Sequence, residues 1–219
     1  MDLGLKYAAG QPIDTPLPTG WQGRTDAPPI PPTWANIKAL GITQIKSLLS
    51  QIAYDQSQWD YKKIGSDNQV GRYQFTPTTL EAYGLLTEGS VATYGNDAIN
   101  YTNCWKPVYI TTGINDYQNY FYNTDSLTNF LTTKIAQEHL AYQRLVDIYL
   151  SLTNIDAILA TDSADIVAGM IYVGWTIGIG EPPTIDNDNG TGAWAWRYKN
   201  IGNGTASYNS GRYAITSAG

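Results

Sequence analysis

The sequence of 219 residues has almost nothing with which to staple itself or hold a metal. Cys104 is its one cysteine, which excludes an intrachain disulfide framework and a cysteine zinc site. His139 is its one histidine, so a histidine metal cluster is excluded too, and no cofactor is expected. Charge is scarce as well: Asp, Glu, Lys and Arg make up 15% of the chain, against roughly 25% in an average soluble protein. The 13 Lys and Arg are scattered among 19 Asp and Glu for a net charge of −6. A basic groove for nucleic acid is therefore not expected. No apolar run reaches the roughly 20 residues that span a bilayer, so no membrane insertion is expected. Met1-Asp2-Leu3-Gly4 has neither the basic nor the apolar region of a signal peptide. What the chain does have is 42% hydrophobic residues, including 17 Tyr and 7 Trp, enough for one full core.

Seven of the 11 prolines lie in the first 32 residues. Proline fixes φ, removes a donor and pushes its predecessor into extended backbone. Residues 1–33 thus read as an extended, Pro-rich arm. Its Leu5, Tyr7, Ile13, Leu17, Trp21 and Ile30 suit packing on the body or on a neighbouring subunit better than a solvated linker.

A mainly α body is expected over 34–200, followed by a Gly/Ser-rich tail over 201–219. Thr33 caps a first helix ending at Gly41, and Ile45, Leu48, Leu49 and Ile52 repeat at helical spacing in a second. Residues 60–75 read as irregular, and Pro77 opens a short helix through Leu86. Residues 87–124 read as a loop-rich insertion. A long helix is expected over 126–152, and Asp162 or Ser163 caps an apolar helix from Ala164 to Trp175. That helix is apolar all round and belongs inside a bundle. A Gly/Pro/Asn/Asp loop over 178–192 then leads to a short aromatic helix, 193–198.

The informative stretch is Ile52-Ala53-Tyr54-Asp55-Gln56-Ser57-Gln58-Trp59-Asp60-Tyr61, followed by Gly71-Arg72-Tyr73-Gln74-Phe75-Thr76-Pro77. It resembles the signature of the soluble-lytic-transglycosylase and goose-type lysozyme-like family, above all its phage peptidoglycan-cleaving members. In that family a helix ends in a Glu-Ser pair, and a Gly-x-x-Gln turn opens the next helix. The family's interval of 18 residues, counted back from Gln74, falls on Gln56. Ser57 then takes the family's serine position, Tyr61 an aromatic one and Ser66 a turn serine. Phe130-Leu131 and Ala136-Gln137-Glu138 are similar to a later family helix, and Ile166 to Gly174 to its core helix. The resemblance implies a lysozyme-like domain with Gln56 at the catalytic position and Ser57, Tyr61, Tyr73 and Gln74 along the glycan.

The departure is central. Glycoside cleavage needs an acid to protonate the leaving oxygen, and the family supplies a glutamate. Gln56 has no such proton, and losing general acid catalysis costs roughly 10²–10⁴-fold. Three readings stay open. The chain is a pseudoenzyme that keeps the fold as a scaffold, Asp55 has taken over the acid role, or an active enzyme has its glutamate exchanged for glutamine. Asp55 points about 100° away around the helix and is one methylene shorter.

Other polar residues carry plainer expectations. Asp60 and Asp67 read as turn caps, Glu81 as a solvated helix face, and Glu138 as a surface or helix-packing residue. His139 reads as a helix-surface or core-edge histidine, Glu181 as a loop residue and Cys104 as a small buried hydrophobe. Asp186-Asn187-Asp188-Asn189-Gly190 lacks the closing acid of a calcium loop, so turn chemistry is expected. Trp59, Tyr61, Tyr73, Trp194 and Trp196 suit a glycan cleft, a protein interface or a core.

The segments Leu3-Gly4-Leu5-Lys6-Tyr7, Gly23 to Pro29 and Trp34 to Lys38 are also similar to virion proteins of cyanobacterial myophages. That resemblance implies a structural protein of a phage tail or baseplate, assembled in the host cytoplasm with other tail or baseplate proteins as partners. The alternative is an active virion-associated peptidoglycan-cleaving enzyme, a lytic transglycosylase or muramidase, acting on the host wall. A wall-binding module that holds glycan strands without cutting them is the third.

Overall fold

The computed structural model describes residues 37, 40–106, 108, 109, 121, 122, 124–181 and 190–201. The expected arm over 1–33, most of the helix expected before Gly41, the Asp186–Asn189 cluster and the tail beyond residue 201 lie outside them. Among the described residues the protein is mainly helical. The helices are α1 (Ile42–Ser57), α2 (Pro77–Ala82), α3 (Ser90–Tyr94), α4 (Leu127–Thr132), α5 (Lys134–Asn154), α6 (Ala164–Thr176) and α7 (Gly192–Ile201). Two 3₁₀ turns, Gly95–Asn100 and Thr102–Cys104, follow α3. The strands β1 (Val108–Tyr109) and β2 (Phe121–Tyr122) pair antiparallel, with Val108 opposite Tyr122. No described helix is long and apolar enough to cross a membrane.

The long helix expected over 126–152 is two helices. Ser126 caps α4 through its side chain, and the chain breaks at Thr133 before α5 begins. The break has a local cause: the hydroxyl of Thr133 bonds the Asn129 carbonyl, and that of Thr132 bonds the Thr128 carbonyl. Such side-chain bonds compete with the helical ladder. Ser163, not Asp162, caps α6, its Oγ accepting from the Ile166 N–H. The final helix, expected over 193–198, runs on to Ile201.

The expected body contains two compact units. Among the described residues, one takes 37–51 and 144–201. Its core is Ile45, Leu48 and Leu49 of α1, Leu145 and Leu152 of α5, Ile166, Val167, Met170 and Ile171 of α6, and Ala193 and Trp196 of α7. The apolar helix α6 is indeed interior, and a Cβ at Gly174 would press on the Ile148 methyl. Burying each such large apolar side chain contributes about 1.5–3 kcal/mol. Gly180 (φ +73°) lies so close to Thr191 that a Cβ would overlap its carbonyl. That approach lets Gly178 and Ile179 accept the first N–H groups of α7, from Ala193 and Trp194.

Among the described residues, the second unit takes 52–106, 108, 109, 121, 122 and 124–143. Phe130 of α4 packs on Phe75 and Trp105, with ring centroids 6.2 and 5.6 Å away. Ile52, Ala53, Val70, Leu80, Leu85, Leu86, Ile99 and Leu140 complete this core. Cys104 is buried in it, as the small hydrophobe expected. The irregular stretch 60–75 is organised by bridges pairing Val70 with Ile64 and with Phe75. Glu81 is not on a solvated face. Its two carboxylate oxygens accept from the N–H groups of Gly89 and Val91, closing the start of α3.

Candidate functional site

The residues carrying the motif all lie in the second unit, on the last turn of α1, the irregular stretch after it and the first half of α5. α1 ends at Ser57, and Gln58 and Trp59 then both take the left-handed region, with φ of +56° and +68°. Asn68 (+59°) and Gln74 (+48°) do the same. Four of the five non-glycine positive φ values among the described residues thus fall within 58–74. Side chains other than glycine take this conformation at a cost, and such residues cluster where the surroundings over-determine the backbone.

Those surroundings can be named. Ser57 is buried, its Oγ 2.6 Å from the Arg72 carbonyl and 3.1 Å from that of Ala53. Gln137 of α5 is fully buried: its Oε1 accepts from the Arg72 N–H at 2.8 Å. Its Nε2 donates to the carbonyls of Tyr61 (3.1 Å) and Phe130 (3.0 Å). Gly71 (φ +79°) must be glycine, because a Cβ there would overlap the Gln137 amide. Gln74 folds back on its own turn, its Nε2 donating to Gly71 O at 2.9 Å and Lys63 O at 3.2 Å. Lys63 in turn donates from Nζ to the Gln56 carbonyl at 2.8 Å. One residue therefore joins both ends of the 18-residue interval.

At the centre lies Glu138. It is 3% exposed and accepts from two phenols, Tyr61 at Oε1 and Tyr73 at Oε2, each at 2.6 Å. Arg72, also buried, brings Nε to 3.4 Å from Oε1, and its guanidinium lies over the Tyr61 ring, 4.7 Å from the centroid. Burial, and then the Glu138 charge, push the Tyr73 phenol well above its usual 10. The phenol therefore stays protonated and donates to Glu138. Adjacent residues on a helix point about 100° apart, and Gln137 holds backbone groups of Tyr61 and Arg72 while Glu138 holds the phenols of Tyr61 and Tyr73.

Each expected site residue now has a place. Gln56 is half-buried on the last turn of α1, and Asp55 beside it is exposed. Ser57 and Gln74 are tied into the turn. The rings of Tyr61 and Tyr73 are 5% and 1% exposed. The resemblance sets these two residues along a glycan; in the structure their phenols face Glu138. Trp59 and Trp196 are buried and Trp194 is half-buried. Asp60 caps its turn as expected, accepting from the Lys62 N–H at 2.8 Å. Glu138 is the residue that sequence reasoning undervalued. Its signal was present in the Ala136-Gln137-Glu138 resemblance, with no partner in sequence to explain it. Among the described residues no group of three His, Cys, Asp or Glu side chains converges on a metal site.

His139 is 1% exposed, inside the helix packing and not at its surface or edge. Burial pushes its imidazole down to about 4 from 6.5. The unfolded chain takes up a proton as pH falls through about 6.5, and the folded chain only near 4. Stability from the neutral ring is therefore complete above pH 6.5 and declines below it. Between pH 7 and 5 the decline is about 2 kcal/mol. Urea midpoints at the two pH values measure it, and His139→Gln removes it. An unchanged pH dependence in that variant would show that the ring is not held neutral.

No family model, curated protein or solved structure matches the chain.

Proposed function

We propose that the chain is a structural protein of a phage virion, in the tail or baseplate. In this reading it is built on a degenerate lysozyme-like, peptidoglycan-hydrolase-derived fold with Gln56 in place of the catalytic glutamate. One observation supports the loss of activity, and it concerns the carboxylates among the described residues of this unit. Glu138 is the one buried carboxylate among its described residues, and it is held by two phenols and a guanidinium. Asp55 is exposed, one helical position away from Gln56 and so pointing about 100° elsewhere. The strained stretch 58–74 and the buried residues that enforce it support descent from a site that needed such geometry. The proline-rich composition of residues 1–33 and the low charge support a life among partners, other tail or baseplate proteins.

Digestion of purified peptidoglycan tests the catalytic half of this reading. The chain as it stands is expected to release no soluble muropeptides. Release by it, lost in Asp55→Asn, would overturn the pseudoenzyme and restore the active-enzyme alternative. Gln56→Glu restores the acid at the position the resemblance marks. Cleavage by that variant alone is the result expected if position 56 is the former catalytic position.

A further inference from the structure

The second unit carries an aromatic surface that the motif does not use. Tyr94 and Tyr101 are 39% and 44% exposed, and their rings stack with centroids 4.4 Å apart at 30°. Tyr94 ends α3 and leads into the 3₁₀ turn Gly95–Asn100, which Tyr101 follows. A 3₁₀ helix repeats every three residues, so Tyr94, Asp97 and Asn100 fall on one face of it. All three are exposed. Asn68, itself at φ +59°, donates from Nδ2 to Asn96 O at 3.0 Å and Asp97 Oδ1 at 2.9 Å. Trp105 Nε1 donates to Ile99 O at 2.8 Å. Two phenol rings, a carboxylate and an amide are thus arrayed on an anchored turn, which spares a ligand the cost of ordering them. From Ile64 to Trp105 the exposed charged side chains are Asp67, Glu88 and Asp97, and the one cation, Arg72, is buried.

We propose that Tyr94, Asp97, Asn100 and Tyr101 form a binding site for a neutral glycan of gluco configuration. A pyranose whose hydroxyls are all equatorial presents only C–H groups on its two faces. Those faces pack on aromatic rings, while the rim of hydroxyls needs both donors and acceptors. The tyrosines supply apolar area that ends in a hydroxyl. The Asp97 carboxylate accepts, and the Asn100 amide both donates and accepts, so the two together match the mixed needs of a sugar's rim. Aromatic surface with a few placed polar groups is the composition of a small-ligand site. Charge and polarity decide against other occupants. A phosphate, a nucleic acid or a carboxylated glycan would meet Asp97 with no exposed cation in the stretch 64–105 to balance it. A purely apolar partner would bury Asp97 and Asn100 without replacing their bonds to water. None of the four side chains belongs to the motif around Gln56, and the inference does not rest on the function proposed above.

Titration of the full-length, ¹⁵N-labelled chain with cellohexaose, followed by amide NMR shifts, is the test. Saturable shifts are expected at residues 94–103, in the millimolar range of an open surface site. Tyr94→Ala and Tyr101→Ala are each expected to weaken binding at least about tenfold, the equivalent of one lost anchor contact. Tyr94→Phe/Tyr101→Phe keeps both rings and is expected to retain most of the affinity, which separates loss of stacking from loss of fold. A β-1,4-linked hexaglucuronate has the same ring configuration with a carboxylate on every sugar, and is expected to bind at least about fivefold more weakly. No shifts at 94–103 with cellohexaose would overturn the proposal, as would shifts confined to Gln56 and its neighbours. Equal binding of the hexaglucuronate would overturn the neutral class of ligand. Tighter binding of pentalysine at the same amides would also overturn it, and would assign the patch to a basic protein segment.

Discussion

Replacing Glu138 by alanine is expected to lower the stability of the chain by about 3–5 kcal/mol, because it strands a buried partner charge. Arg72, itself 3% exposed, loses the carboxylate that balances it. The hydroxyls of Tyr61 and Tyr73 lose their acceptor in the same step. Each phenol donates to a charged group, so Tyr61→Phe or Tyr73→Phe costs about 1.5–3 kcal/mol alone. All these losses pass through one carboxylate and are not additive. After Glu138→Ala, adding Tyr73→Phe is expected to cost under about 1 kcal/mol, since that hydroxyl has already lost its partner. Urea denaturation of the single and double variants measures the coupling. A loss below about 1 kcal/mol for Glu138→Ala would mean that the ion pair and its phenols contribute little beyond packing, as some buried pairs do.

This cluster explains why the site was only partly legible in the sequence. The Gly71-to-Gln74 turn and its distance from Gln56 are local patterns, and local patterns survive in a single sequence. Gly71 is glycine for a reason visible only in space, the Gln137 amide lying where its Cβ would be. Tyr61 and Tyr73 were readable as functional aromatics because of their position in the motif. That they point inward depends on Glu138, which is 77 and 65 residues away along the chain. A buried carboxylate in a chain with little charge is rare, and no composition or periodicity reveals which glutamate it is. The same holds for His139, whose neighbours on α5 read equally well as a surface.

The helices were more legible, for the reason that their signals are periodic or lie at their ends. Ile45, Leu48, Leu49 and Ile52 mark the buried stripe of α1, and all four are fully or almost fully buried. Pro77 and Thr76 open α2 as the first-turn preference of proline requires, with the Thr76 hydroxyl accepting from Thr79 N–H. The division of the expected long helix at Thr133 was not legible. The threonines there have ordinary helical neighbours, and their competition with the backbone is decided by which carbonyl each hydroxyl finds. The short 3₁₀ turns after α3 were hidden for a related reason. Their order comes from Asn68, reaching across to Asn96 and Asp97, and from the indole of Trp105, which donates to the Ile99 carbonyl.

Arg197→Met is expected to be the most damaging change in the other unit, at about 3–5 kcal/mol. Arg197 and Asp162 form a buried fork: Nη1 donates to Oδ2 and Nη2 to Oδ1 at 3.2 Å, with both side chains under a tenth exposed. Nη1 also donates to the Ala157 carbonyl at 2.8 Å, and Asp162 accepts from the Leu159 N–H at 2.7 Å. The pair therefore ties α7 to the loop between α5 and α6, 35 residues earlier. Asp162 was a candidate cap for α6. Ser163 holds that role, which leaves the carboxylate free to take the guanidinium. Methionine preserves much of the arginine stem but leaves Asp162 desolvated without a counter-charge, the costly half of breaking a buried pair. Arg197→Lys restores the charge without the fork and is expected to recover less than half of the loss. Removing both groups, with Asp162→Asn added to Arg197→Met, leaves no buried charge and is expected to be milder than Arg197→Met alone, because the remaining amide can still accept from Leu159 N–H. Thermal and urea unfolding of the three variants decide between the two accounts of the pair. If the double variant proves no more stable than Arg197→Met, then the loss comes from the hydrogen bond to Ala157 and from packing, and not from an uncompensated carboxylate.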